Sequence, residues 1–447
     1  MGLIGLLLAC APDPPECGFD PGPIFWCEGP GTVTLDVVTG RGDTRQATGD
    51  GRAAVWLLPP SAPLSFQVTT EDGASSGYTS VPPTPPWADL QATAEGDAGG
   101  LSYLLTNVCD QAATVVWVDP LGVTHWALDL VPYGAEGLYA YHWTRAGTLL
   151  AAITPTTVVE VDPLGVEVGR WDITWDGYLH HDVGETAAGL LLLTAWAVDG
   201  VIDDRVTELS RDGQVLRYVD ASALIDGPTA SAGNLPDAFW SWAFPGAVSA
   251  THTNSARALP DGRWLMSWRQ ADAIVAVDPD APLVDPWIVE GEDGPGLEPT
   301  VSGVVPFAYP HGATAGDDGV VWLLDNGRGV DSEVVGLVDD DGVIEEIARV
   351  SLGRACPESG GVWPVGDGSF VATCAREKQA LRVLPGGDGP VWALTSGCVA
   401  PEPSPATPDA IPRFVPGDPL APHEAGDRAR VHTGAAPRVR GDRTHVE

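Results

Sequence analysis

Val115-Val116-Trp117-Val118-Asp119-Pro120-Leu121-Gly122 and Val158-Val159-Glu160-Val161-Asp162-Pro163-Leu164-Gly165 are two copies of one pattern. Each is an apolar, β-branched run that ends in Asp-x-x-Gly and is followed by further apolar residues. A strand that runs into a tight turn and back has this form. Looser copies lie at Val206 to Gly213, Ile274 to Asp280, Val334 to Gly342 and Leu381 to Gly386. Most are preceded by a turn glycine and a second apolar run: Gly147 to Ile153, Gly189 to Trp196, Gly262 to Trp268, Gly319 to Leu324 and Gly368 to Cys374. Six copies spaced at roughly 40 to 70 residues match the four-strand unit of a β-propeller. No alternation of helix and strand interrupts them. The pattern therefore predicts an all-β chain whose residues 87–400 form a six-bladed β-propeller.

Upstream, Thr32 to Val38, Ala53 to Leu58 and Leu64 to Val68 are short alternating runs broken by Gly-Arg-Gly-Asp, Asp-Gly and Pro-Pro turns. They predict a small N-terminal β-sandwich, which with its proline-rich linker spans residues 28–86. Pro82-Pro83-Thr84-Pro85-Pro86 is stiff and marks the boundary. Residues 401–447 open with Pro-Glu-Pro-Ser-Pro and hold Arg428, Arg430, Arg438, Arg440 and Arg443 with almost no apolar periodicity. That composition predicts a disordered tail. With 54 Gly and 41 Pro in 447 residues, long helices are nearly ruled out.

The chain holds 61 acidic against 23 basic residues, a net charge of −38, and its only lysine is Lys378. Such a surface argues against nucleic acid and against anionic membranes as partners. It also means that any bound anion needs a locally basic pocket. Residues 1–10 end in Leu-Leu-Ala-Cys and read as a lipoprotein-type signal with Cys10 as the lipidated residue, although no Lys or Arg precedes the apolar run. Residues 11–27 then read as a tether. The expected contact with a membrane is through this anchor alone, because the run is too short to span a bilayer. Export permits disulfides, and seven cysteines less Cys10 leave six. The expected pairs are Cys17 with Cys27, Cys356 with Cys374 and Cys109 with Cys398, one of the fifteen pairings that six cysteines allow.

The nine histidines are placed unevenly. His142, His180-His181, His252 and His311 each precede a turn glycine by a short interval, so they fall on the first strand of successive blades. In a propeller that strand lines the central channel, and residues far apart in sequence meet at one mouth. Arg269 closes the strand next to His252 in the hairpin Ala250 to Gln270 and adds a permanent cation. Imidazole, amide (Asn254) and guanidinium together suit an anion. A single histidine in a strand is more often an ordinary core or surface residue; recurrence in consecutive blades is what argues for chemistry. A metal ring is disfavoured, because no HxH or HxxxH pair occurs and Arg269 repels a cation. No metal and no cofactor are expected. Asp203-Asp204 and Asp339-Asp340-Asp341-Gly342 read as solvated turns.

These motifs resemble the bacterial arylsulfate sulfotransferases, which need no nucleotide sulfate donor. That family carries His-His-Asp, His-x-Asn-Ser, Ser-x-Arg leading into Ile-x-x-Asp, and a His shortly before Asp-Asn-Gly. Here, in the same order, stand His180-His181-Asp182, His252-Thr253-Asn254-Ser255, Ser267-Trp268-Arg269 before Ile274 to Asp278, and His311 before Asp325-Asn326-Gly327. The resemblance covers roughly residues 110 to 400 and implies an exported six-bladed propeller with an N-terminal β-domain. It implies that His311 attacks the sulfur of an aryl sulfate, forms a sulfohistidine and passes the group to a phenol. His252, Arg269 and His181 or His180 would hold the sulfuryl oxygens. Trp240, Trp242, Phe307 and Tyr309 lie close in sequence to these histidines, and with Asn254 the aromatic residues Trp240, Trp242 and Tyr309 are candidates for substrate binding. Two departures stand out. Pro310 and Gly312 flank His311 where the family commonly has Gln and Asp, and Phe239 to Val248 looks like an insertion.

The residue chemistry agrees with this reading. Sulfuryl transfer, like phosphoryl transfer, develops charge on oxygens that cationic donors can hold. A neutral imidazole is a competent nucleophile near neutral pH. The expected partners are therefore small aryl sulfates and phenols, and the expected location is the periplasm or cell surface. The alternative is a non-catalytic propeller lipoprotein that binds a partner or an anion. A metal-dependent propeller hydrolase is disfavoured by the lack of inner-strand carboxylates.

Overall fold

In the computed structural model the described residues are 15–397 and 415–417, without 21–23, 41, 43, 57, 59, 84–90, 102, 108–112, 176, 226–238, 292–304, 317, 328–329, 358–359, 366 and 376. Cys10, Cys109 and Cys398 lie outside them. The described residues are strands with a few 3-10 turns, and they form two units that part after Pro83.

In the first unit Glu16–Asp20, Ile24–Thr39, Thr44–Val55, Pro63–Thr70 and Gly73–Ser80 make one five-stranded sheet. Two packed sheets were the expectation, and the physical reason for the difference is a bend. The ladder between the second and third strands slips between Glu28 and Thr32, at Gly29-Pro30-Gly31. The first and fourth strands then pair with different halves of Ile24–Thr39. A bulge of this kind lets one long, strongly twisted sheet enclose its own core, here Phe25, Val33, Leu35, Val37, Leu64 and Val68. The expected tether is ordered from Glu16 onward, because Cys17 pairs in register with Cys27 and is bonded to it.

The second unit contains six sheets among the described residues, each built on four antiparallel strands, and the third carries a short fifth strand, Val248–Ser249, parallel to Val201–Ser210. Every copy of the Asp-x-x-Gly pattern falls on the third strand of a sheet and the turn to the fourth. Every glycine-led run falls on the second strand. The pattern has a direct cause: Asp119 Oδ1 accepts from the Leu121 and Val123 N–H groups, Asp162 Oδ1 accepts from Leu164 and Val166, and the glycines adopt φ of 80° and 83°. Only glycine takes that backbone geometry without strain.

Consecutive sheets share cores. Leu150 and Val158 pack with Leu190 and Leu209, Leu193 and Val206 with Met266 and Val275, Ile274 and Ala276 with Leu323 and Val335, and Leu324 and Val334 with Ala372 and Leu381. The sixth sheet packs on the first through Val371, Ala380 and Leu394 against Leu104, Val116 and Val118. Strand exchange reinforces that junction. Gln91–Gly96 adds a fifth strand to the sixth sheet, and Val415–Gly417 supplies the first strand of the first sheet beside Tyr103–Asn107. The unstructured tail expected for residues 401–447 therefore does not hold at Val415–Gly417, where backbone pairing outweighs the lack of apolar periodicity.

A tryptophan on the fourth strand of one sheet repeatedly donates to the third turn of the next. Trp126 Nε1 reaches Pro163 O at 2.9 Å, Trp171 Nε1 reaches Arg211 O at 3.1 Å, and Trp287 Nε1 reaches Asp339 Oδ2 at 3.1 Å. The abundance of Trp thus serves sheet-to-sheet stacking. Trp171→Phe keeps the ring but loses this bond, and an expected loss of about 1 kcal/mol follows; Trp171→Ala should cost about 3–5 kcal/mol. Urea unfolding of the two variants would measure both.

Candidate functional site

The first strands of the third, fourth and fifth sheets begin in the same irregular way. Tyr178–Glu185 slips against its partner between Leu179 and Val183, Thr253–Ala258 between Thr253 and Ser255, and His311–Ala315 between His311 and Thr314. His181, His252 and Tyr309 have φ of 52°, 48° and 53°. A left-handed residue other than glycine costs about 1–3 kcal/mol, and such strain concentrates where side chains must be re-aimed. Hydrogen bonds join these strands in sequence. Asp182 accepts from Ala256 N and Arg257 Nη1, and Ser255 Oγ accepts from Ala313 N.

The consequence is one buried cluster. The ring centroids of His181 and His252 are 5.0 Å apart. His180, His181, His252 and His311 are all buried. Arg269 takes its position from the turn: its N–H donates to His252 O at 3.2 Å, and its guanidinium lies 4.9 Å over the Tyr309 ring. The charges of Arg269 and His252 both act on His311. His142 does not join the cluster and instead lies 4.0 Å from Glu185.

Asn254 fixes His311 in place. Its Nδ2 donates to Pro310 O at 2.7 Å, and its Oδ1 accepts from Gly312 N and from Ser267 Oγ, so it grips the backbone on both sides of the histidine. Ser255 and Ser267 share a hydrogen bond of 2.8 Å. The His-x-Asn-Ser and Ser-x-Arg segments are thus one network. Tyr309 N, just upstream, donates to Asp272 Oδ1 at 2.7 Å.

The imidazole of His311 is oriented by a residue given no role from sequence. His311 Nδ1 lies 2.6 Å from Asn326 Oδ1 and 3.1 Å from Tyr309 O. Both neighbours are acceptors, so Nδ1 carries the proton and Nε2 the lone pair. Asn326 cannot turn over, because its Nδ2 donates to Cys356 O. Cys356 is held in turn by its N–H to Ser332 Oγ and by its disulfide to Cys374. Asn326 therefore does the orienting for which Pro310 and Gly312 offer no side chain. Burial, then the charge of Arg269, keep His311 well below the ordinary imidazole pKa of 6.5, and His252 adds to this.

The aromatic residues divide. Phe239 lies against His181 at 4.4 Å and His252 at 5.4 Å. Trp240 is fully buried against His180, while Trp242 packs on Tyr178 and Tyr139. Asp204 overturns its reading as a solvated turn. It sits within the strand Val201–Ser210 with no exposed surface, accepting from Thr251 Oγ1 and Thr253 N at 2.6 Å each. The hairpin that carries it is ten residues a side, longer than the other second and third strands of the unit, and this puts its far half against the site.

Residues 89–295 match the model of the Arylsulfotransferase (ASST) family, a family of sulfotransferases independent of a nucleotide sulfate donor. The matched span holds His180, His181, His252, Asn254 and Arg269, and His311 lies beyond it. No curated protein sequence matches the chain. Among solved structures, a protein of unknown function from Bacteroides caccae is 13% identical over 71% of this chain and 98% of its own, with a TM-score of 0.41. Virginiamycin B lyase from Staphylococcus aureus is 11% identical over 81% and 99%, with a TM-score of 0.38. Likenesses this loose carry no weight for function.

The electrostatics of His311 have a measurable consequence. Its imidazole is expected to be neutral at pH 6.5 and to gain a proton only at lower pH, followed by NMR titration of its ring protons. Arg269→Gln removes a cation that opposes protonation, so the titration should move upward; an unmoved titration would contradict the contact.

Proposed function

We propose that this protein is an arylsulfate sulfotransferase that works through a sulfohistidine at His311. The reading takes the six sheets as the blades of a β-propeller, with the histidine cluster at one mouth of its channel. The observation that carries it is the pair of acceptors at His311 Nδ1: Asn326 Oδ1 and Tyr309 O commit the Nδ1–H, which makes Nε2 a neutral nucleophile within the field of the Arg269 guanidinium.

In the first half-reaction His311 Nε2 forms a bond to sulfur as the bond from sulfur to the aryl oxygen breaks, and the aryl group leaves as phenolate. In the second, an acceptor phenol oxygen attacks the same sulfur and the N–S bond breaks. Arg269 and His252 are the donors that would hold the sulfuryl oxygens as charge develops there. Phe239 and Tyr309 offer the ring faces nearest to this cluster for an aromatic substrate. The acidic body makes this pocket the place for an anion.

Two further features support export as a lipoprotein to the periplasm or cell surface. The chain begins with a segment ending Leu-Leu-Ala-Cys10, and the disulfides Cys17–Cys27 and Cys356–Cys374 suit an oxidising compartment.

The test is release of 4-nitrophenol from 4-nitrophenyl sulfate, with and without an added phenol. Wild type should release about one equivalent in a burst, then turn over when acceptor is present. His311→Ala should lose both. Asn326→Leu frees the imidazole to adopt the other tautomer and should lower kcat by about 10²-fold. Turnover that survives His311→Ala would refute the nucleophile, and a folded wild type inert towards a panel of donors and acceptors would leave only an anion-binding protein.

A further inference from the structure

Two buried titratable groups of the third sheet have no part in the transfer as described so far, Asp204 and His180. Asp204 Oδ2 is occupied by Thr251 Oγ1 and Thr253 N, while Oδ1 lies 3.4 Å from His180 Nε2. On the other side of the same ring, His180 Nδ1 is 2.8 Å from His181 Nδ1. His181 in turn meets His252 and Phe239 in the cluster. Asp204 and His180 are 0% and 2% exposed, and Trp240 covers His180 at 4.7 Å. A carboxylate and two imidazoles thus run in line from the interior of the sheet to the site.

The two imidazoles are hydrogen-bonded, whereas Asp204 Oδ1 and His180 Nε2 approach to 3.4 Å without a hydrogen bond between them; a small turn of the ring that closes this gap gives the line two neutral-ring states. With Asp204 ionised, His180 carries its proton on Nε2, His180 Nδ1 accepts, and His181 donates from Nδ1 and bears a lone pair on Nε2. With Asp204 protonated, every bond reverses and His181 carries its proton on Nε2. Neither state places a charge on an imidazole near Arg269. We propose that Asp204, His180 and His181 form a proton relay that serves the phenol oxygen in both halves of sulfuryl transfer.

The proposal rests on the sulfotransferase reading, and its proton balance is complete. As the S–O bond to the aryl group breaks, the phenolate oxygen takes the proton from His181 Nε2. His181 Nδ1 takes the proton of His180 Nδ1, His180 Nε2 takes the proton of Asp204, and Asp204 becomes a carboxylate. When the acceptor phenol attacks the sulfohistidine, its proton enters at His181 Nε2 and the same steps run backward to Asp204. A buried Asp that stays ionised beside its His serves only to orient it. Asp204 differs because burial raises it to about 6, against its hydrogen bonds from Thr251 and Thr253 and the charge of His252.

In Asp204→Asn the two donors on Oδ2 keep the amide oxygen there, so its NH2 faces His180 and locks His181 as an Nε2–H donor whose proton cannot be replaced. Two measurements follow. With a series of aryl sulfates, kcat/KM of Asp204→Asn should fall roughly 10²-fold further for phenyl sulfate than for 4-nitrophenyl sulfate, because the weaker acid needs the proton more. An equal fall for all donors would mean a structural role and overturn the relay. Independently of turnover, 15N NMR of histidine-labelled protein at pH 8 should show His181 Nε2 unprotonated in wild type and protonated in Asp204→Asn; the same tautomer in both would also overturn it. If Asp204→Asn does not fold, His180→Gln breaks the line at its middle and should steepen the donor series in the same way, and a parallel fall would count against the relay. A wild type without turnover refutes the sulfotransferase reading, and the NMR comparison then decides the relay alone.

Discussion

One buried amide holds the two halves of the site in register. Asn254 donates to the carbonyl before His311 and accepts from the N–H after it, while sharing Ser267 with the strand that leads to Arg269. A nucleophile set between two sheets needs such a clamp, because a shift of about 1 Å in a reacting group can cost 10²-fold in rate. The left-handed backbone at His181, His252 and Tyr309 shows how much local strain the packing sustains to aim those side chains. The surrounding sheets are tied in sequence by shared cores, by tryptophan-to-turn hydrogen bonds and by exchange of the terminal strands, so they are rigid enough to carry it.

The same rigidity explains the chemistry of His311. In water an imidazole exchanges its proton between two nitrogens and is half protonated near pH 6.5. Here Asn326 commits Nδ1, Cys356 prevents Asn326 from turning, and burial with Arg269 disfavours the second proton. Nucleophile and cation sit together because the nucleophile is kept neutral. A protein with a net charge of −38 thus contains a pocket suited to an anion, since field at a buried site is set by its nearest groups more than by the distant surface.

What could be read from the sequence was what is periodic or local. The six copies, three with Asp-x-x-Gly and three looser, locate the third strand of each sheet because the turn chemistry is contained within a few residues. The histidines fall on first strands, or next to one in the case of His252, because each comes shortly before the next turn glycine. What could not be read depends on partners far along the chain. Asp204 looks like a surface turn beside Asp203 until Thr251 and Thr253 close over it, and Asn326 is one polar residue in an Asp-Asn-Gly stretch until Cys356 fixes its amide. Its place in that stretch was the one available signal. The N-terminal strands form one sheet where two were expected for a related reason: in the sequence, the bend at Gly29-Pro30-Gly31 looks like an ordinary strand break. Phe239 opens an insertion-like stretch, and its ring meets His181 and His252 only through the fold.

The account is tested most directly by peptide mass mapping of protein quenched during reaction with an aryl sulfate and no acceptor. The mass of one SO3 group should appear on the peptide that contains His311, survive alkaline quenching, be lost in acid, and disappear when a phenol is added before the quench. Phenol release with an unmodified His311 peptide, or the group on another histidine of the cluster, would contradict it.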